Sequence, residues 1–166
     1  MKLSKKKRGN AVIDTILVLI VIFIFSVISI TGYNFFTDLN NDIQADTSLD
    51  NSTKAHSDNL HNQYPSVFDG LFLIVLILFW ALVLVASYMI DSRPIFFVFT
   101  VILLAAVFVV GAQFTNFYDD WTSDAEISSA AAEFPITNFV MSHLLMFSIA
   151  IGFSVVIVMF AKTRVG

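Results

Sequence analysis

Four long apolar runs constrain the fold of this chain more than any other feature of its sequence. They cover Ala11–Ile30, Leu71–Ile90, Ile95–Ala112 and Phe139–Ala161. A helix rises about 1.5 Å per residue, so about 20 residues cross the ~30 Å hydrocarbon layer of a bilayer. The runs are apolar on all sides and lack the alternation of transmembrane β-strands. The sequence therefore predicts an all-α integral membrane protein with four transmembrane helices.

Composition argues against the main alternative, a soluble helical domain. Of the 166 residues, 57% are hydrophobic and only 13% are charged. A soluble domain of this size has too few polar residues to cover four such helices, and it would expose large apolar patches. The chain has no cysteine, which excludes disulfides, thiolate metal sites and a catalytic thiol.

Prolines and one capping pattern predict where the helices begin. Ser66 lies three residues before Asp69, which is a capping-box pattern just ahead of the second run, and Pro65 should block extension of that helix backwards. Pro94 and Pro135 lie before the third and fourth runs, where proline fits the first turn of a helix.

The basic residues predict the orientation of the helices. Of nine lysines and arginines, only Lys54 falls on the far side of a chain that crosses four times. The other eight are Lys2, Lys5, Lys6, Lys7, Arg8, Arg93, Lys162 and Arg164. Cationic residues are retained on the inner side of membranes. Both termini are therefore predicted on the inner side.

Together these signals divide the chain into alternating inner, membrane and outer segments. In chain order they are a basic inner tail (1–10), the first span (11–33), an acidic outer segment (34–68), the second span (69–90), an inner turn (91–94), the third span (95–115), a second acidic outer segment (116–136), the fourth span (137–161) and a basic inner tail (162–166). The inner turn is so short that the second and third spans must form a tight antiparallel hairpin.

The outer segments carry an acidic pattern that repeats every four residues. Asp38, Asp42, Asp46 and Asp50 would form one stripe of carboxylates if this segment were helical. Such a stripe attracts Ca²⁺ or a basic partner surface, but it lacks the alternating ligands and the glycine of an EF-hand loop. A solvated acidic face is the favoured interpretation, and no metal site is predicted.

Parts of the outer segments are expected to continue as helices beyond the lipid. Phe35, Leu39 and Ile43 follow one another at the spacing of a helical stripe. Ser123 and Glu126 are placed to cap a short helix that runs through the following alanines.

Three polar residues lie within or near the predicted spans. Asp14 is about one turn from the inner surface, whereas His143 and Gln113 lie towards the outer one. Intramembrane ionisable groups are costly and suggest function, such as a proton path. The difference in depth separates Asp14 from His143 by more than about 10 Å, so interfacial positions paired with water or neighbours are the favoured interpretation.

The amino-terminal sequence contains a basic cluster, Lys5-Lys6-Lys7-Arg8, followed by Gly9, Asn10 and, four residues further on, Asp14. Over about the first thirty residues this resembles the class III signal of type IV prepilins and their Tad-type relatives. The resemblance implies cleavage after Gly9, Asn10 as the new terminus and Asp14 as the acid at the fifth mature position. Alternatively, the cluster only orients the first helix and contacts anionic lipid or nucleic acid.

Small residues predict where helices pack closely. Ser148 and Gly152 form a small-xxx-small pair on the fourth helix, and Ala105 and Ala112 lie a heptad apart on the third. Small side chains let backbones approach in lipid, where packing drives association.

No catalytic or cofactor motif accompanies these features. The sequence has no nucleophile elbow, phosphate-binding glycine loop or HExxH pair. We therefore expect a non-enzymatic structural or organising subunit of a membrane assembly, oligomeric or in complex with other membrane or capsid-like proteins through its acidic outer segments. Two settings fit, the internal membrane of a membrane-containing virion and a cellular complex. The alternatives are a small oligomeric channel or holin-like pore, and a pilin-like or secretion-system component.

Overall fold

The computed structural model describes residues 11–89 and 94–165. Within these ranges the chain forms six α-helices and no strand, which confirms the all-α prediction. The helices are α1 (Ala11–Ala45), α2 (Asn51–Met89), α3 (Pro94–Thr122), α4 (Ala125–Ala132), α5 (Pro135–Ser142) and α6 (Leu144–Val165).

Three helices of the described ranges have the length and apolar composition needed to cross a bilayer. They are Thr15–Ala45 with 31 residues, Asn51–Met89 with 39 residues and Leu144–Lys162 with 19 residues. These helices indicate a membrane-embedded protein, because each contains a window of high hydropathy that a soluble fold would have to bury.

The four long helices form a bundle. α1 packs along α2 and α3 packs along α6, and contacts between α2 and α6 and between α1 and α3 close the ring. Apolar side chains fill its centre, including Leu19, Ile22, Val83, Val107, Ile151 and Val155. The short helices α4 and α5 cover one end of the bundle, where they contact α1, α2 and α3. Residues 31–69 and 116–143, which form this end, are called the head region below.

The predicted start of the second helix is wrong. α2 begins at Asn51 and continues through the buried Pro65 without ending. Its first turn is capped by Asp50, whose Oδ1 accepts a hydrogen bond from the Thr53 N–H at 3.0 Å and whose Oδ2 accepts one from the Ser52 hydroxyl at 2.7 Å. A proline inside a helix costs about 3 kcal/mol. Packing of the preceding turns against α1 offsets that cost.

The fourth apolar run is not one helix. α5 ends at Ser142. The backbone of its C-cap residue, His143 (φ −117°, ψ 19°), leaves the helical region, and α6 starts at the next residue, Leu144. The N–H of His143 donates to the carbonyl of Val140 at 3.2 Å, which tightens the last turn of α5. The long apolar helix therefore begins at Leu144 rather than at residue 137.

Small residues bring α3 and α6 together. A Cβ atom on Gly111 would lie 2.6 Å from Oγ of Ser148, and one on Gly152 would lie 3.1 Å from the Phe108 ring. Ser148 and Gly152 thus both lie in this contact. On α3, however, the small residue that faces Ser148 is Gly111, whereas Ala105 is exposed and Ala112 is half-buried. Neither alanine belongs to the buried residues of α3, which among the described side chains are Leu104, Val107, Gly111 and Tyr118.

Candidate functional site

The candidate site is the head region, and its centre is the carboxylate of Asp69. This side chain is only 4% exposed. Its Oδ2 accepts a hydrogen bond from the N–H of Ile136 at 2.8 Å, and its Oδ1 accepts from the N–H and the hydroxyl of Thr137, each at 2.7 Å. Asp69 on α2 thereby holds the first turn of α5, 67 residues further along the chain.

The sequence of α5 explains why it needs an external cap. Its N-cap residue, Phe134, has no side-chain acceptor, and Pro135 at the first helical position has no N–H. The next two amides, of Ile136 and Thr137, are the orphan donors of the helix start. A carboxylate is stabilised there by the amides and by the positive end of the helix dipole. Asp69 therefore joins α2 to α5, and its three hydrogen bonds to α5 are called the Asp69 clamp below.

A second junction joins α3, α4 and α5 through a tyrosine. The ring of Tyr118 is fully buried, and its hydroxyl donates to Oδ1 of Asn138. The amide of Asn138 in turn donates to the carbonyl of Ala131 at 2.5 Å. Burial, with smaller contributions from Asp119 and Asp69, raises the pKa of Tyr118. The phenol therefore stays a neutral donor.

Aromatic rings fill the space between the hairpin formed by α1 and α2 and the link between α4 and α5 at Phe134. Tyr33 stacks on His61 with 4.9 Å between ring centroids, and the buried Phe134 ring meets Tyr33 edge-on at 5.7 Å. Nε2 of His61 lies 2.9 Å from Oγ1 of Thr37 in a hydrogen bond. The Tyr64 hydroxyl lies so close to Gly32 that a Cβ atom on residue 32 would be 2.6 Å from the hydroxyl oxygen. The rings and polar contacts together fix the register of α1 against α2.

Further polar contacts continue that register to the tip of the hairpin. The Ser57 hydroxyl donates to Oδ1 of the buried Asn40 at 2.6 Å. Nearer the tip, the Gln44 amide donates to the Lys54 carbonyl and the Lys54 ammonium donates to the Gln44 carbonyl, both at 2.9 Å. The hairpin is therefore preorganised along its length.

The acidic repeat does not form one helical stripe. α1 ends at Ala45, so only Asp38 and Asp42 lie on it. Asp46 lies in the turn, where its Oδ1 accepts from the N–H and the hydroxyl of Ser48 at 2.8 and 2.7 Å. Asp50 caps α2, and hydrogen bonds from Thr53 and Ser52 lower its pKa to about 2. Within 11–89 and 94–165, no cluster of three or more His, Cys, Asp or Glu side chains is placed to hold a metal ion.

The polar residues predicted within the spans are not brought together. His143 is exposed, and its Nδ1 is hydrogen-bonded at 2.8 Å to the carbonyl of Phe139 in its own helix. Gln113 is exposed on α3. The side chain of Asp14 lies outside the described residues, as do Gly9, Asn10 and the basic cluster 5–8.

Sequence reasoning missed the roles of the residues that organise the head region. It assigned Asp69 to a capping box of the second helix and did not predict the contacts of Tyr118 and Asn138. One local signal was available. A helix that starts with proline after a phenylalanine has no side-chain cap of its own. Its first free N–H groups therefore need an acceptor from elsewhere in the fold. The predicted cap of α4, Ser123, is one residue away from the observed one. Asp124 is the N-cap, and its Oδ1 accepts a hydrogen bond from the Glu126 N–H at 3.0 Å.

Comparison with known proteins gives no relative from which a role can be transferred. No protein-family model matches the chain, no curated protein matches it, and no solved structure matches it.

Proposed function

We propose that this chain is a four-span membrane protein with both termini on the inner side, and that it serves as a non-enzymatic structural subunit of a membrane-embedded assembly. Its head region forms a rigid, acidic platform on the outer side, to which a partner protein binds. The observation that carries this proposal is the Asp69 clamp. The buried carboxylate accepts three hydrogen bonds from the first turn of α5, which is a structural role.

The fourth span in this proposal is α3. It has 29 residues and packs between α1 and α6 in the bundle. Exposed valines and isoleucine on its surface, including Val98, Ile102 and Val109, are suited to lipid contact. α1, α2 and α6 have the length and apolar composition of membrane spans. Because α3 packs against α1 and α6, we place it in the bilayer with them.

The position of Lys162 supports the proposed sidedness. Its ammonium lies 5.6 Å from the centroid of the Tyr88 ring, which is a cation–π distance. Tyr88 is near the end of α2 and Lys162 near the end of α6. The contact brings these two helix ends together, which supports placing both on the inner side in the proposed topology.

The charge of the head region supports a role in binding a basic partner. The head region, residues 31–69 and 116–143, contains eleven Asp and Glu residues but only one Lys or Arg residue, Lys54. Several carboxylates are exposed at its surface, among them Asp38, Asp42 and Asp120. Such a surface steers cationic partners towards it and repels anionic ones.

Cross-linking in native membranes tests this function. Extraction into polymer-bounded lipid discs, followed by a cross-linker that joins carboxylates to amines, should yield stoichiometric links from the head region to lysines of one dominant partner. The double variant Asp38→Asn/Asp42→Asn should lose links at those positions and keep the fold. Recovery of the chain only as a homo-oligomer that conducts ions after reconstitution would contradict a structural role.

A further inference from the structure

The tip of the hairpin formed by α1 and α2 carries a modification motif that the proposed function does not use. Asn51-Ser52-Thr53 matches the Asn-X-Ser/Thr pattern of an acceptor for N-linked glycans. Of all the asparagines in the sequence, only Asn51 is followed two positions later by Ser or Thr. Because so short a pattern also arises by chance, its place in the fold decides whether it can serve as an acceptor.

The structure places this motif where an enzyme can reach it. α1 ends at Ala45 and α2 begins at Asn51, so the motif directly follows the turn of the hairpin. The side chains of Asn51, Ser52 and Thr53 are all exposed. Those of the turn are exposed as well, apart from the half-buried Leu49. The motif is therefore accessible at the tip of the head region.

The proposed topology holds the motif well away from lipid. The apolar run of α1 ends at Ile30, and the helix rises about 22 Å between Ile30 and Ala45. On α2, the rise from Asn51 to Leu71, where the second apolar run begins, is about 30 Å. A membrane-bound transferase takes its acceptor from the water layer above the lipid, so the motif stands at a height that such an enzyme can use.

The folded turn itself competes with the transferase. Oδ2 of Asp50 accepts a hydrogen bond from the Ser52 hydroxyl at 2.7 Å, and Oδ1 accepts one from the Thr53 N–H at 3.0 Å. These bonds keep the motif helical, whereas a transferase has to bind the asparagine amide and the threonine hydroxyl in an extended segment. The ends of helices open at a low cost in free energy. Transfer is therefore expected before the hairpin closes, or when this first turn opens.

We infer that Asn51 accepts an N-linked glycan from a lipid-linked oligosaccharide on the outer side of the membrane. Nδ2 of Asn51 forms a bond to C1 of the first sugar, and the bond between C1 and a phosphate oxygen of the lipid carrier breaks. The lipid phosphate leaves with the electron pair, and the amide loses one proton to a base of the transferase. This inference rests on the proposed function, in which the hairpin tip lies outside.

Translation of the full chain with microsomes, which supply the transferase and the lipid-linked oligosaccharide, tests this inference. The wild-type chain should gain the mass of one core oligosaccharide, and an endoglycosidase should remove it. Asn51→Gln and Thr53→Ala should each abolish the gain, whereas Thr53→Ser should retain part of it because a hydroxyl remains. Asn41→Gln, an exposed change on α1 outside the motif, should leave the gain unchanged.

The competition from the capping carboxylate is tested on the folded chain. Lipid discs that contain the chain are mixed with purified transferase and lipid-linked oligosaccharide. Asp50→Ala should then be modified about fivefold faster than the wild type, because the first turn of α2 opens more easily without its cap. Equal rates would overturn the assignment of Asp50 as the group that competes with transfer.

A wild-type chain that inserts into microsomes and gains no oligosaccharide would overturn the inference, as would a gain that persists in Asn51→Gln. Labelling of Asn51→Cys in the same microsomes with a membrane-impermeant maleimide distinguishes the causes. If position 51 is labelled only after permeabilisation and the wild type carries no glycan, the acceptor role fails and the proposed topology stands. If it is labelled in sealed microsomes, both fail.

Discussion

The two ends of the molecule are held together in different ways. In the bundle, most of the described buried side chains are apolar, such as Leu19, Val107 and Ile151. The buried serines at positions 26, 29, 87 and 148 donate to carbonyls of their own helices. In the head region, directed hydrogen bonds of Asp69, Tyr118 and Asn40 join the helices. Lipid solvates apolar side chains as well as a neighbouring helix does. Hydrogen bonds between helices therefore join the head region, whereas close packing of small residues such as Gly111 and Ser148 joins helices of the bundle.

The largest effect is expected from breaking the clamp. Asp69→Ala leaves two amides and a hydroxyl of α5 without their acceptor, in a buried place. It should lower the free energy of unfolding by about 3 kcal/mol and speed amide exchange in α5. Denaturation in lipid discs and hydrogen exchange measure both effects. The matched control is Asp120→Ala, an exposed carboxylate of the head region. Equal effects of the two variants would show that the clamp does not hold the head region together.

The tyrosine junction should give an intermediate effect. Tyr118→Phe keeps the buried ring and removes the hydroxyl that donates to Asn138. The unpaired acceptor should cost about 1–2 kcal/mol of unfolding free energy. Tyr88→Phe, at the other end of the molecule and 62% exposed, should change stability by less than about 0.5 kcal/mol. A loss at Tyr88 as large as that at Tyr118 would reverse the proposed difference between the two ends.

A pair of glycines tests close packing in the bundle. Gly111→Ala places a Cβ 2.6 Å from the Ser148 hydroxyl, whereas Gly70→Ala meets nothing within 4 Å. The first should destabilise by about 1 kcal/mol, and the second should stabilise by up to about 1 kcal/mol because alanine favours helix. Thermal melting of both variants shows whether each substitution lowers or raises the stability of the fold. Ser148→Ala added to Gly111→Ala should recover part of the loss, and an unchanged loss would argue against this contact.

The smallest effect is the pH dependence at the hairpin tip. Because the folded pKa of Asp50 is about 2, below its usual 3.8, the carboxylate favours the folded state above pH 4 and loses that contribution as the pH falls through about 2. The protection of the Thr53 amide, which is its exchange rate relative to that of an unstructured peptide at the same pH, should therefore fall on acidification, with the amides of α5 as an internal reference. In Asp50→Ala the same amide should lack this protection at every pH. Protection that persists in this variant would mean that Asp50 does not cap α2.

The sequence predicted the features that depend on local composition. Apolar length predicted helices over the four runs that begin at Ala11, Leu71, Ile95 and Phe139. The stripe of Phe35 and Leu39 predicted that helix continues beyond the first apolar run, and α1 extends to Ala45. These features follow from hydropathy and helical periodicity, which are properties of neighbouring residues.

The features that were missed depend on contacts distant in the chain. The Ser66–Asp69 pattern has the spacing of a capping box, yet the Asp69 carboxylate caps a helix 67 residues away. A local rule cannot distinguish these two uses of one aspartate. Likewise, the break at His143 lies inside an apolar run, directly after the short helix α5 whose first turn Asp69 caps. Hydropathy alone does not distinguish this break from a continuous helix.

Cysteine accessibility tests the central claim, four crossings with the head region outside, most directly. The chain has no native cysteine, so single variants Asn51→Cys, Ser128→Cys and Thr163→Cys can each be labelled in sealed vesicles of known orientation with a membrane-impermeant maleimide. Positions 51 and 128 should react from one side and position 163 only from the other. Reaction of positions 51 and 128 from opposite sides would contradict the account, because α3 would then not cross the membrane.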